Sequence, residues 1–127
     1  MTLNLNGGYG LTLASSTKAG NYYSTGQLPY IPVNQAKFSI NISYANFYSL
    51  WNCNFTGSRF TTGDNGIALP GYLIHNILAG IKIKMKGIIT NISFDIENLT
   101  GTSYQIIAHY PMPGRSYNLK IVFELFK

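Results

Sequence analysis

Six stretches of this chain alternate apolar and polar residues for ten to fourteen positions each. Period-two alternation marks a strand with one apolar face. Residues 2–14 put Leu3, Leu5, Tyr9, Leu11 and Leu13 on one face, against Thr2, Asn4, Asn6, Gly8, Gly10 and Thr12. Residues 36–45 set Phe38, Ile40, Ile42 and Tyr44 against Lys37, Ser39, Asn41 and Ser43. Residues 48–61 set Trp51, Cys53 and Phe55 against Asn52, Asn54, Thr56 and Ser58. Residues 72–85 set Leu73, Ile77, Ala79, Ile81, Ile83 and Met85 against Asn76, Gly80, Lys82 and Lys84. Residues 88–99 set Ile92, Phe94 and Ile96 against Asn91, Ser93, Asp95 and Glu97. Residues 115–126 set Tyr117, Leu119, Ile121, Phe123 and Leu125 against Ser116, Asn118, Lys120 and Glu124. No stretch carries a helical period, so the expected fold class is all-β, antiparallel and up-and-down.

Strand length separates two solvents. Strands in globular domains average about 5–6 residues, whereas a strand crossing a bilayer needs about 9–11 at a tilt near 45°. The polar face is almost uncharged at mid-strand, as the inside of a membrane barrel is. The connections also come in two lengths. Short turns are expected around residues 46–47 and at Lys86-Gly87, and long connections over 15–35, 62–71 and 100–114. Short turns at one end and long loops at the other is the layout of an outer-membrane β-barrel, with the turns on the periplasmic side. Six strands fall below the bacterial minimum of about 8. A six-strand sheet has two bare edges that lipid cannot satisfy. The expectation is therefore a transmembrane segment of about six strands from a larger, incomplete barrel.

Composition narrows function. The chain has 127 residues, 46% apolar and 14% aromatic, with only 10% charged; average domains carry about 25% charged residues. That balance excludes long disordered charged tails, and no apolar run is long enough for a transmembrane helix. No signal peptide is visible at Met1 to Gly8. The net charge is +5, but the nine basic residues are scattered and form no nucleic-acid stripe. One cysteine, Cys53, excludes an internal disulfide framework and a Cys-based zinc site. Two histidines and four acidic residues leave few parts for catalysis. The expectation is not an enzyme, with no cofactor and no catalytic or metal residue.

The last third carries a recognisable pattern: Phe94-Asp95-Ile96-Glu97-Asn98-Leu99, then Tyr104, then Tyr110-Pro111-Met112-Pro113-Gly114-Arg115, then a closing alternating strand. It resembles the C-terminal end of TonB-dependent outer-membrane receptors. That family shows an Asn-Leu strand end, a Tyr some residues on, a Tyr-Pro-Met-Pro-Gly-Arg loop end and a closing aromatic strand. Phe55-Thr56-Gly57-Ser58-Arg59-Phe60, Leu69-Pro70-Gly71-Tyr72 and Tyr30-Ile31-Pro32 look like the preceding strands of the same family. The resemblance implies that residues 1–127 are the C-terminal part of a receptor barrel, with the plug domain and the TonB-binding motif outside this sequence. Such barrels have about 22 strands. The implied function is uptake of a scarce bulky nutrient: a ferric siderophore, cobalamin or a glycan. The implied partners are the rest of the barrel and plug, the TonB complex, the barrel-assembly machinery and outer-membrane lipid. The family motif residues are then Asn98, Leu99, Tyr104, Tyr110, Pro111, Pro113, Gly114 and Arg115. The assembly-signal strand is Tyr117, Leu119, Ile121, Phe123, Leu125 and Phe126, followed here by Lys127 rather than ending on an aromatic.

The same residues carry physical expectations. Pro111 and Pro113 stiffen their loop and keep it out of a ladder. Gly114 supplies a positive φ where the chain re-enters the strand, Arg115 sits at the outer rim, and Asn98 bonds to local backbone at the strand end. Asp95 and Glu97 share one face and are expected to pair with Lys82, Lys84 or Lys120. Cys53 is a packed or lipid-facing thiol with no nearby base. His75 lies near the outer rim and His109 in the last long loop, not as a metal pair. Tyr22, Tyr23, Tyr30, Tyr104 and Tyr110 either line a ligand entrance or, the favoured reading, form an interfacial girdle or pack the loops. The Asn-x-Ser/Thr tripeptides at Asn41, Asn54, Asn91 and Asn98 follow from polar residues two apart, not from glycosylation. Gly7-Gly8-Tyr9-Gly10 is strand, not a phosphate loop. The rival reading is a soluble, secreted β-sandwich binding module.

Overall fold

The structure, a computed structural model, describes residues 1–14 and 26–125. Phe126, Lys127, Tyr22 and Tyr23 lie outside the described residues. Among the described residues ten strands form: β1 (Thr2–Leu11), β2 (Asn34–Tyr44), β3 (Phe47–Thr56), β4 (Arg59–Phe60), β5 (Ala68–Leu69), β6 (Tyr72–Met85), β7 (Ile88–Glu97), β8 (Gln105–Ile107), β9 (Tyr110–Pro111) and β10 (Ser116–Leu125). Six of them make one antiparallel sheet in the order β1-β2-β3-β6-β7-β10. Each neighbour in that sheet is also the next long strand in the chain, which is the up-and-down arrangement. β4 with β5 and β8 with β9 are two-stranded sheets of their own. No second large sheet faces the first among the described residues, so the architecture is not a sandwich. The sheet is not closed on itself.

The register aligns the alternating residues into rows. One apolar row runs Leu5, Ile40, Trp51, Ile77, Ile96, Tyr117, one residue from each strand. The next runs Leu3, Ile42, Ser49, Ala79, Phe94, Leu119, and the one below it Tyr44, Phe47, Ile81, Ile92, Ile121. The opposite face carries Asn4, Asn41, Leu50, Leu78, Asp95 and Asn118 in one row. A one-residue slip would put every side chain on the wrong face.

A single-layer sheet has nothing to bury its apolar face against. Ile74 is the one buried apolar residue among those described, and it lies on the polar side. Leu5, Phe38, Phe47, Phe94, Leu119, Ile121 and Phe123 are all exposed large apolar residues on the other side. What the sheet has is a continuous apolar surface without a partner.

The strand ends differ from the sequence expectation in a few places, each with a cause. The β2–β3 turn is Ala45-Asn46, with Ala45 at φ 51°, one residue earlier than the pattern suggests. Phe47 is already paired with Tyr44. β3 stops at Thr56 although the pattern runs on to residue 61. A Cβ on Gly71 would lie 2.9 Å from the Thr56 carbonyl oxygen and one on Gly57 would lie 3.0 Å from that of Asn34. Backbones approach there as only glycine permits, and the chain turns away into β4. β7 stops at Glu97 because Asn98 takes φ 50°. At the other hairpin Gly87 holds φ 76°, as a tight turn at Lys86-Gly87 requires.

The polar face is more structured than its composition suggests. Tyr48 faces Gly80 directly and its ring lies over the glycine to reach Asn91, its hydroxyl donating to Asn91 Oδ1 at 2.8 Å. A Cβ on Gly80 would come within 2.3 Å of the ring. Gly80 is thus a covered position and not an open polar one. Asp95 accepts from Asn118 Nδ2 at 3.4 Å and Glu97 from Ser116 Oγ at 3.1 Å. The expected lysine partners are elsewhere: Lys82 faces Asn91, Lys84 faces Ile89 and Lys120 faces Ser93. Period two gives the face but not the cross-strand register that chooses the partner.

Candidate functional site

All three long connections gather at one end of the sheet, beyond the ends of β3, β6 and β7. A backbone bond within the first, Leu28 N–H to the Ala14 carbonyl at 2.7 Å, closes it on itself, and Tyr30 N–H to the Phe60 carbonyl at 2.7 Å ties it to the second. Gly26 packs so tightly on Asn65 that a Cβ would sit 1.9 Å from Asn65 Oδ1. The first connection therefore rests on the second.

Asn98 organises the third connection. It is only 4% exposed. Its Oδ1 accepts from Thr102 N–H at 2.9 Å, and its Nδ2 donates to the Thr102 carbonyl at 2.9 Å and the Pro113 carbonyl at 3.5 Å. Its own N–H donates to Asn76 Oδ1 at 2.9 Å. Leu99 N–H donates to the His75 carbonyl at 2.7 Å, and Thr102 Oγ1 to the Leu73 carbonyl at 3.2 Å. One side chain thus closes the loop on itself and onto β6. Asn98→Ala takes a partner from three part-buried backbone groups, the Thr102 N–H and carbonyl and the Pro113 carbonyl, at about 1–3 kcal/mol each where water cannot replace it. The expected outcome is lowered resistance to urea, read by tyrosine fluorescence, and faster proteolysis between residues 100 and 114.

The other motif residues take different places. Tyr104 packs on Tyr72 with ring centroids 4.4 Å apart. Burial, then the neighbouring Tyr72 and Glu97, pushes its phenol above the ordinary tyrosine range, so it is a neutral donor at physiological pH. Tyr110 and Pro111 form β9, with Pro111 opposite Gln105; Pro111 is in a short ladder after all, at its end where no N–H is required. Arg115 Nη1 donates to Tyr117 Oη at 3.5 Å. Gly114 does not carry the positive φ expected of it; the left-handed glycine of this loop is Gly101, at φ 67°. Asn76, Glu97, Tyr104, Met112 and Pro113 line an open cleft of about 250 Å³ on the polar side.

Sequence reasoning did not single out Arg59, which is 3% exposed. Its Nη2 donates to the Gln105 carbonyl and its Nε to the Ile106 carbonyl at 3.4 Å. The guanidinium lies 5.1 Å from the centre of the Tyr72 ring. It joins the second connection to the third. No spacing rule marks it; the one signal is a lone arginine two residues after Gly57, at the end of an alternating run.

The histidines are apart, and no group of three or more metal-ligating side chains exists among the described residues. His109 is in the β8–β9 turn at φ 67°. His75 is the fourth residue of β6, at the long-loop end of the sheet. It lies on the apolar face directly opposite Cys53, stacked on Trp51 at 5.6 Å and 9°. Cys53 therefore does have a histidine beside it, a neighbour that only the register reveals.

No family model and no curated protein matches the sequence. Among solved structures, the chain is similar to BauA, the ferric preacinetobactin receptor from Acinetobacter baumannii, with a TM-score of 0.79 at 21% identity. The similarity covers 95% of this chain and 19% of BauA. It shows that this sheet has the fold of one part of a ferric siderophore receptor, and that the chain spans about a fifth of that receptor.

Proposed function

We propose that the chain is a C-terminal wall segment of an outer-membrane, TonB-dependent transporter that takes up a scarce bulky nutrient of the ferric siderophore, cobalamin or glycan class. The observation that carries this reading is the unpartnered apolar face, continuous across six long strands. The eleven residues of β2, at about 3.3 Å each and a tilt near 45°, span about 26 Å, close to the apolar band of about 25 Å on a membrane barrel. The likeness to one part of BauA supports the same reading.

On this reading the apolar face meets lipid and the Asn- and Ser-rich face lines the lumen. The short turns are periplasmic and the three long connections form the outer mouth. β1 and β10, the two edge strands, pair with strands of the remaining barrel. Transport needs the plug and the TonB complex, which act outside this sequence, and the barrel-assembly machinery inserts the whole. The segment contributes wall and mouth and no catalytic group. The test is sedimentation of the isolated chain. Without detergent it is expected to aggregate, and in detergent to disperse, because two bare edges and one lipid-type face have no aqueous solution. A monodisperse detergent-free monomer would contradict the reading.

A further inference from the structure

We propose that Arg59 is the seat of an oxyanion, a carboxylate or phosphate group of a small solute arriving at the long-loop end. The inference rests on reading that end as the solute-facing mouth. Arg59 is only 3% exposed, yet among the described residues its hydrogen-bond partners are the neutral carbonyls of Gln105 and Ile106. Its Nη1 has no acceptor among the described residues.

The chain offers no counter-charge. It has four acidic residues, and each is engaged or placed elsewhere. Asp64 is exposed and accepts from Gly66 N–H at 3.1 Å. Asp95 bonds Asn118 and Glu97 bonds Ser116. Glu124 faces Ile89 near the short-turn end of the sheet. Neither residues 15–25 nor 126–127 contain an acid. A buried guanidinium normally has a carboxylate or phosphate opposite it, bound through two parallel N–H donors. A charge buried with only neutral acceptors is costly, and an anion from outside would relieve that cost. Asn65 Oδ1, a buried polar atom without a partner among the described residues, falls in the same connection.

The chain has two arginines, Arg59 and Arg115, which makes a direct readout available. In the complete receptor barrel containing this chain, held in detergent, labelled with ¹⁵N over these residues alone and carrying Arg115→Gln, the single labelled arginine Nε–Hε signal belongs to Arg59. Sodium phosphate and sodium acetate are expected to move it along a saturating curve, with a midpoint about tenfold lower in concentration than any effect of sodium chloride at matched ionic strength. Arg59→Gln in the otherwise unchanged barrel is expected to abolish phosphate-dependent shifts of the Tyr72 and Tyr104 signals. A wild-type-like signal that does not move, or that moves equally with chloride, would overturn the proposal and leave Arg59 as a tie between two loops. Because the measurement is made in detergent on the folded barrel, its failure leaves the sedimentation result standing.

Discussion

Deleting residues 117–127 from a receptor containing this chain is expected to abolish its insertion into the outer membrane. β10 is an edge strand whose one partner here is β7, through ten residue pairs from Ser116↔Glu97 to Leu125↔Ile88. Its other edge is bare, and on our reading it closes the barrel against the first strand. Removing it strips the seam and leaves one edge of β7 unpaired in a medium with no water to take up its N–H and C=O groups. Phe123→Asp is expected to do much of the same damage with one residue. Phe123 is 68% exposed on the apolar face, opposite Thr90. The change forfeits about 1.5–3 kcal/mol of apolar transfer and puts a charge against lipid. Removing Lys127 alone is expected to be neutral or slightly favourable. The measurement is surface protease accessibility of the loop around Tyr110, which is expected to vanish for the deletion and fall sharply for Phe123→Asp. Normal exposure of the Phe123→Asp receptor would show that β10 is not the closing strand.

The second large effect is a difference between faces. Ile81→Arg is expected to cost about 2–4 kcal/mol, the penalty for an arginine facing lipid near the bilayer midplane. Ile81 lies between Phe47 and Ile92 in an unbroken apolar row. Asn118→Arg is expected to be close to neutral, because Asn118 is on the polar face opposite Asp95 and already donates to it. Folding yield in the complete barrel, read by heat-modifiable gel mobility, is expected to separate the two variants clearly. Equal yields would contradict the assignment of faces. Gly80 is a poor control despite lying on the same side as Asn118, since Tyr48 covers it.

The contrast between Gly80 and Asn118 shows what was legible in the sequence. Alternation alone places each on the polar face, and all six long strands sit within a few residues of where the pattern puts them. The pattern is strong because each strand keeps one face in one environment for ten or more positions. What it cannot carry is anything that depends on register. Tyr48 over Gly80, His75 beside Cys53, and Asp95 on Asn118 instead of a lysine are all relations between strands. Register is set by turns, and alternation alone puts the β2–β3 turn one residue later than its place at Ala45-Asn46.

At the long-loop end the same limit applies differently. Asn98 was legible as a strand-ending residue that bonds to local backbone, because Asn tolerates φ > 0 and has a donor and an acceptor to offer. Its reach to Pro113 and Asn76 was not, since it crosses fifteen residues in one direction and twenty-two in the other. Arg59 was invisible because its partners are backbone carbonyls of another connection. Gly114 misled because glycine suggests a positive φ that the neighbouring Gly101 supplies instead.

The central claim is that the apolar face meets lipid, and the chain contains one reporter for it. Trp51 is its single tryptophan, set in the middle of β3 on the apolar face, with Phe38 at 5.9 Å and His75 at 5.6 Å. A receptor barrel containing this chain, with Trp51 as its one tryptophan and folded into vesicles of phosphatidylcholine with brominated acyl chains, is expected to show blue-shifted Trp51 emission, strongly quenched by the bromine and little affected by iodide in the water. Emission at the wavelength of exposed tryptophan, quenched by iodide and indifferent to the brominated chains, would contradict the account.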